Sequence, residues 1–332
     1  MKFSSLAKPS AQQKDVLVLG GSGFIGTRLT AELQKRQERV RIGDLNQSKA
    51  FPQLWVHCDV RREDTLVDLF REAAAVINLA AEHRDDVRPI SRYHETNVEG
   101  AEQVCQAARK TGVSKIVFTS SVAVYGFPLG QVDEGGPFAP FNPYGQTKLE
   151  AEGVYRAWAE EDPTRSLVIV RPSVVFGEGN RGNVYNLLHQ IAKGKFLMVG
   201  SGANVKSMAY VENVAAFLAH LLSLESGVHI FNYVDGPDMD TRTLVRHIFD
   251  SLGKSSKMPT RIPESIALAG ATVLDAIARL TGRTFPISAI RVRKFCENTQ
   301  FQANRIAETG FTPPYSLREG LDRTLRSEFL TR

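Results

Sequence analysis

Val16-Leu17-Val18-Leu19-Gly20-Gly21-Ser22-Gly23-Phe24-Ile25-Gly26 joins four consecutive apolar residues to a glycine-rich turn, after which Ile25, Leu29 and Leu33 continue at helical spacing. The pattern predicts a buried strand, a tight turn and a helix. The glycines can be counted as Gly21-x-Gly23-x-x-Gly26 or as Gly20-x-x-Gly23-x-x-Gly26. Either count brings backbone close to a bound group and aims the free N–H groups of a helix start at it, which suits a pyrophosphate.

The same theme recurs outward from this stretch. Val40 to Ile42, Leu54 to His57, Val76 to Leu79 and Ile116 to Phe118 are further apolar runs separated by helix-like segments, and Leu167 to Val170 is a sixth. Continuous apolar runs suit parallel strands covered on both faces. Their alternation with helices predicts an α/β fold with a doubly wound parallel sheet, whose ligands lie beyond the carboxyl ends of the strands. After Arg171-Pro172 the rhythm breaks among Gly177, Gly179, Gly182, Gly194, Gly200 and Gly202, before a helix at Val211 to Leu222 and a strand at His229 to Tyr233. The expected organisation is a tail over 1–14, a dinucleotide-binding domain over 15–175 and 205–235, and a smaller, mostly helical substrate domain over 176–204 and 236–332. Pro313-Pro314 marks a loop before a last helix, Leu317 to Phe329.

Asp44, at the end of the second strand, stands where an acid accepts hydrogen bonds from the adenosine ribose and repels a 2′-phosphate. NAD is therefore the expected cofactor, with Arg41 keeping NADP open. Asp59, after the third strand, suits the adenine amino group or a turn. The expected cofactor set is Gly20, Gly23, Phe24, Ile25 and Gly26 in the turn, Asp44, Asp59 and Val60 at the next two strand ends, and Leu79, Ala80 and Ala81 after the fourth strand.

Tyr144-Gly145-Gln146-Thr147-Lys148 places a phenol and an amine on one face of a helix. A tyrosine titrates near ~10, and making it a base at neutrality takes roughly 4 kcal/mol, which a nearby ammonium and a positive nicotinamide would supply. Lys148 is expected to orient the nicotinamide ribose as well. Ser121, in Thr119-Ser120-Ser121 after the fifth strand, is expected to hydrogen-bond the substrate oxygen. The plainer alternative makes Tyr144 a surface aromatic and Lys148 a solvated partner of Glu152. Tyr125 has no lysine four residues on, and Asn97 either bends a helix or holds a water in a proton relay.

Composition excludes several other classes. The 42% hydrophobic and 23% charged residues are those of a soluble globular protein. Cys58, Cys105 and Cys296 are widely spaced and odd in number, which argues against disulfides or a metal site and for a reducing cytoplasm. The net charge of +5 is unaccompanied by any nucleic-acid recognition module. Ile262 to Leu280 is apolar but interrupted by Glu264, Asp275 and Arg279, so it is no membrane span. It reads as an amphipathic helix packed inward, with a membrane or partner surface as the alternative.

From Asp15 to Phe329 these residues resemble the extended short-chain dehydrogenase/reductase family, in particular its NAD-dependent nucleotide-sugar epimerase/dehydratase branch. The resemblance rests on Gly20, Gly23 and Gly26, Asp44, Asn97, Ser121, Tyr144 and Lys148, with Ser121-Val122-Ala123-Val124-Tyr125-Gly126 and Asn142-Pro143-Tyr144. It implies a Rossmann-type sheet and hydride transfer with Tyr144, Ser121, Lys148 and Asn97 as catalytic residues. It also implies a diphosphate contact for Lys206 in Asn204-Val205-Lys206-Ser207 and a homodimer formed through helices near Asn97–Lys110 and Tyr144–Glu161. The dehydratases carry an acid pair where this chain has Val122 and Ala123, and the 4-epimerases present an asparagine to the substrate where it has Val174. Arg171-Pro172 followed by Gly177, and Ile290 to Phe295, are similar to keto-reductases and steroid dehydrogenases. The expected activity is epimerisation or keto-reduction at C4 of a nucleotide-activated sugar. The alternatives are a 3β-hydroxysteroid dehydrogenase-like activity on an apolar alcohol and a silent NAD sensor.

Overall fold

The computed structural model describes residues 14–84, 87–127, 130–254, 259–281 and 289–330. The expected leading tail lies outside them up to residue 13. Strands β1 (Asp15–Leu19), β2 (Val40–Asp44), β3 (Trp55–His57), β4 (Ala73–Asn78), β5 (Lys115–Thr119) and β6 (Ser166–Pro172) follow the apolar runs. Further strands come next: β7 (Val174–Phe176), β8 (Met198–Val199), β9 (Val205–Lys206), β10 (Met208–Tyr210), β11 (Gly227–Tyr233), β12 (Met239–Asp240) and β13 (Arg261–Ile262). The helices are α1 (Phe24–Lys35), α2 (Glu63–Arg71), α3 (Ser91–His94), α4 (Gly100–Thr111), α5 (Pro143–Glu160), α6 (Asn183–Ala192), α7 (Val211–His220), α8 (Thr241–Ser251), α9 (Glu264–Thr281), α10 (Ala289–Cys296) and α11 (Leu317–Leu325).

Seven parallel strands form one sheet in the order β11-β6-β5-β4-β1-β2-β3. The chain steps from β1 outward to β3, then returns to β4 on the other side of β1. A crevice therefore opens at the carboxyl ends of β1 and β4, the usual ligand position in such sheets. Successive residues of β1 point to opposite faces. Leu17 and Leu19 join Leu66, Val104, Trp158 and Ile169 in one core, while Val16 and Val18 join Leu29, Leu33, Val214 and Phe217 in another. Burial on both faces explains why these strands lack polar alternation.

The remaining elements form three short strand pairs and helices around a third core containing Phe176, Leu188, Met198, Tyr210, Leu244 and Leu321. β11 joins the large sheet as the expected return, whereas β9 pairs antiparallel with β12 outside it. The expected strand ends shift slightly: Leu54 closes a short 3-10 turn, and Leu79 lies just past β4. Asn142 starts α5 by accepting from Gly145 N at 2.8 Å, with Pro143 in the first turn, so the helix bearing Tyr144 has a fixed origin.

The expectation for 262–280 needs correction. The helix forms, but its apolar face does not pack inward: Ile266, Val273, Ile277 and Leu280 are exposed, and Ala271 is buried. Periodicity locates an apolar stripe, but neighbouring elements decide which side of the helix meets them. Among the described residues no helix is long and apolar enough to cross a membrane, and no cluster of side chains could hold a metal.

Candidate active site

The glycine turn is shaped by contacts that forbid side chains. Gly20 has φ +74°, and a Cβ there would lie 2.7 Å from Ala80 N. A Cβ on Gly26 would lie 2.5 Å from both Gly20 O and Gly21 Cα. β1, the turn, α1 and the end of β4 thus close on one another by backbone, leaving the N-terminus of α1 facing the crevice. Gly23 is its N-cap and supplies no capping side chain. The first-turn N–H groups therefore lack helical carbonyl partners and suit a pyrophosphate.

Asp44 reaches back over this turn. Its Oδ2 accepts from Ser22 N at 3.1 Å and its Oδ1 from Asn46 N at 2.9 Å, so one carboxylate orders two loops. Each oxygen keeps lone-pair capacity for a ribose hydroxyl. This cradle fits the adenosine-diphosphate portion of NAD. Asp59 is held by Arg61, whose guanidinium bonds both carboxylate oxygens and holds the acid below its usual range. Asp59 also accepts from Arg61 N, so the turn role is present.

The half-buried Phe24 and Ile25 side chains pack against apolar cores, and Val60 is buried against Gly100. Leu79 and Ala80 likewise pack on the cores, with Ala80 N donating to Asn78 Oδ1 at 3.0 Å. Ala81 is half-buried just beyond them.

Ser121, Tyr144 and Lys148 converge at the end of β5. Ser121 caps the short helix Val122–Tyr125 by accepting from Ala123 N at 3.1 Å, and its hydroxyl lies near enough to the Tyr144 phenol to act on it. Lys148 is buried and donates to Thr119 O at 2.7 Å, with its ammonium 4.6 Å from the Phe118 ring centroid. It is not the solvated partner of Glu152.

The expected electrostatics are reversed in the chain alone. Burial pushes the Tyr144 phenol up, opposed by the Ser121 hydroxyl. Burial also pulls the Lys148 ammonium down to about 7, opposed by Glu152. A poorly hydrated amine turned onto a carbonyl does not acidify the phenol.

Asn97 occupies a π-helical turn, Glu95–Glu99, between α3 and α4. Its Oδ1 accepts from Glu82 N at 2.8 Å, while its Nδ2 donates to Glu82 O and Thr147 Oγ1, both at 3.0 Å. It ties the loop after β4 to α5, one residue from Lys148. Lys206 lies on β9 and donates to Glu297 O at 3.0 Å, and burial lowers its amine. Val174 is exposed on β7.

Sequence reasoning missed the layer beneath these groups. Arg171 is wholly buried and holds Glu152 through Nε at 2.8 Å and Nη2 at 2.6 Å. Its Nη1 donates to Tyr125 Oη at 2.6 Å and Glu134 O at 3.0 Å, and Tyr125 donates to Asn232 Oδ1 at 2.8 Å. Ser120 donates to Glu152 Oε1 at 2.7 Å. A signal existed: Tyr144, Lys148 and Glu152 continue one face of α5 at intervals of four.

Residues 16–233 match the NAD dependent epimerase/dehydratase family. The chain is 46% identical over 319 residues to N-acetyl-alpha-D-glucosaminyl-diphospho-ditrans,octacis-undecaprenol 4-epimerase of Escherichia coli O157:H7, covering 95% of this chain and 96% of that protein. It is 27% identical to UDP-glucose 4-epimerase of Vibrio cholerae, covering 95% of each. Its structure resembles that of MoeE5 in complex with UDP-glucuronic acid and NAD, with a TM-score of 0.74 and 25% identity over 94% of this chain and 98% of that one.

Proposed function

Because the chain belongs to the NAD-dependent epimerase/dehydratase family, we propose that it inverts C4 of an N-acetylhexosamine carried on a polyprenyl diphosphate. The 46% identity to an epimerase of such a lipid-linked sugar, over nearly the whole of both chains, carries this reading. It replaces the nucleotide-activated sugar expected from the sequence with a lipid diphosphate and keeps the C4 chemistry. Val174, an apolar side chain where nucleotide-sugar 4-epimerases present an asparagine, is consistent with that change. The steroid and NAD-sensor alternatives are not favoured.

In this reading residues 15–175 and 205–235 hold the cofactor, and 176–204 with 236–332 form the substrate side. Gly20, Gly23 and Gly26 admit the pyrophosphate of NAD, and Asp44 takes the ribose hydroxyls. NAD supplies a reversible hydride acceptor for the C4 hydrogen. Tyr144 takes the C4 hydroxyl proton and returns it after the sugar has turned its other face. Ser121 hydrogen-bonds the same oxygen while it is a carbonyl. Lys148 orients the nicotinamide ribose, and Lys206 is assigned to the diphosphate.

The test is incubation of the purified protein with N-acetylglucosaminyl diphosphate on a short, water-soluble prenol, followed by hydrolysis and sugar analysis. N-acetylgalactosamine formed without added reductant is the expected product. Turnover of UDP-N-acetylglucosamine in preference to the prenol-linked sugar would overturn the substrate assignment.

A further inference from the structure

The outer face of α9 combines two features that a helix exposed only to water would not need. Ile266, Val273, Ile277 and Leu280 are 62%, 59%, 40% and 87% exposed, and they fall within about 60° of arc on a helical projection. Ala271, 2% exposed, lies on the opposite side. The polarity is inverted: Asp275 is turned toward α10, where its Oδ2 accepts from Ala289 N at 2.9 Å. The second feature is charge. Residues 254–296 hold eight lysines and arginines against two acids, an excess of +6, whereas the whole chain has +5. Outside this segment the protein is therefore net −1.

We infer that the exposed apolar face of α9 seats this protein on an anionic lipid bilayer. Apolar side chains in a narrow stripe, within a segment rich in cations, are the composition of an interfacial helix. A second copy of the chain fits less well. Four side chains cover far less than the ~800 Å² per partner of a stable interface. The inference rests on the preceding reading that the substrate is lipid-linked, because a bilayer-seated enzyme meets such a substrate where its diphosphate emerges. The stripe is shallow, so the contact is reversible and depends on salt.

The experiment is sedimentation of the full chain with vesicles of phosphatidylcholine alone or mixed equally with phosphatidylglycerol, at low and high salt. The wild type is compared with an I266S/V273S/I277S/L280S variant, whose fold is checked by circular dichroism. The expected result is at least about tenfold more binding to the anionic vesicles, reduced by salt, and at least about tenfold loss in the variant. Equal binding by the variant, or no binding by the wild type, overturns the inference. So does a wild-type dimer that the variant splits without any change in vesicle binding. Turnover of the short-prenol substrate separates the two readings. Vesicle binding without turnover removes the proposed function and leaves the docking face, whereas turnover without vesicle binding does the reverse.

Discussion

Glu152→Gln tests the buried layer beneath Lys148. Glu152 and Arg171 are 1% and 0% exposed, and their two hydrogen bonds at 2.8 and 2.6 Å need both carboxylate oxygens as acceptors. Glutamine keeps one acceptor and sets an NH2 group against the other arm of the guanidinium. Arg171 is then buried without a counter-charge. Removing one partner of such a pair costs about 3–5 kcal/mol, because the desolvated ion no longer has its compensation. Guanidinium unfolding followed by Trp158, buried on the same helix, reads the loss. Replacing both Glu152 and Arg171 with methionine should recover a large part of it, since neither ion then remains to be desolvated. The substitution also removes the group that opposes the fall of the Lys148 ammonium, so that amine moves further below about 7. The limb of the pH–turnover profile that follows Lys148 protonation should move to lower pH. A stability loss under about 1 kcal/mol, with an unmoved profile, would refute the reasoning.

Tyr144→Phe keeps the ring and removes the acid/base, so turnover should fall at least about a hundredfold while NAD binding measured by calorimetry is retained. Gly26→Ala puts a methyl 2.5 Å from two backbone atoms, and fluorescence titration should show NAD bound at least about tenfold more weakly. Burial raises the Asp235 carboxyl from 3.8 to about 6. The native state therefore holds this proton more tightly than the unfolded one, and its contribution to stability falls by roughly 2 kcal/mol as pH rises from ~4 to ~6. Asp235→Asn should flatten the slope of unfolding free energy over that range, and an unchanged slope would assign it to other groups.

The sheet was legible because both of its faces are covered, which leaves an unbroken apolar run inside each of β1, β5 and β6. Tyr144 and Lys148 were legible because helical spacing alone puts them together. The tie between Arg171, Glu152, Tyr125 and Asn232 was not, since those residues come from separate strands and helices and meet only once β5, β6 and β11 are aligned. Spacing also could not show which cores Phe24 and Ile25 pack against, or that the stripe on α9 faces away from the protein. Both depend on neighbours distant in sequence. The rise of the Tyr144 phenol in the chain alone was not legible because it comes from desolvation, and burial depth is a property of the folded chain.

In the proposed function the carboxylate of Asp44 is a binding group, and in the structure it is a latch, fastening Ser22 of the glycine turn and Asn46 beyond the second strand. Cofactor preference and loop order are consequently one trait. Exchanging Asp44 for a small neutral residue, the simplest change toward a phosphorylated ribose, would release the turn that must grip the pyrophosphate. A lineage of such proteins can change dinucleotides only by acquiring a new fastening for Ser22 before, or together with, the loss of this acid.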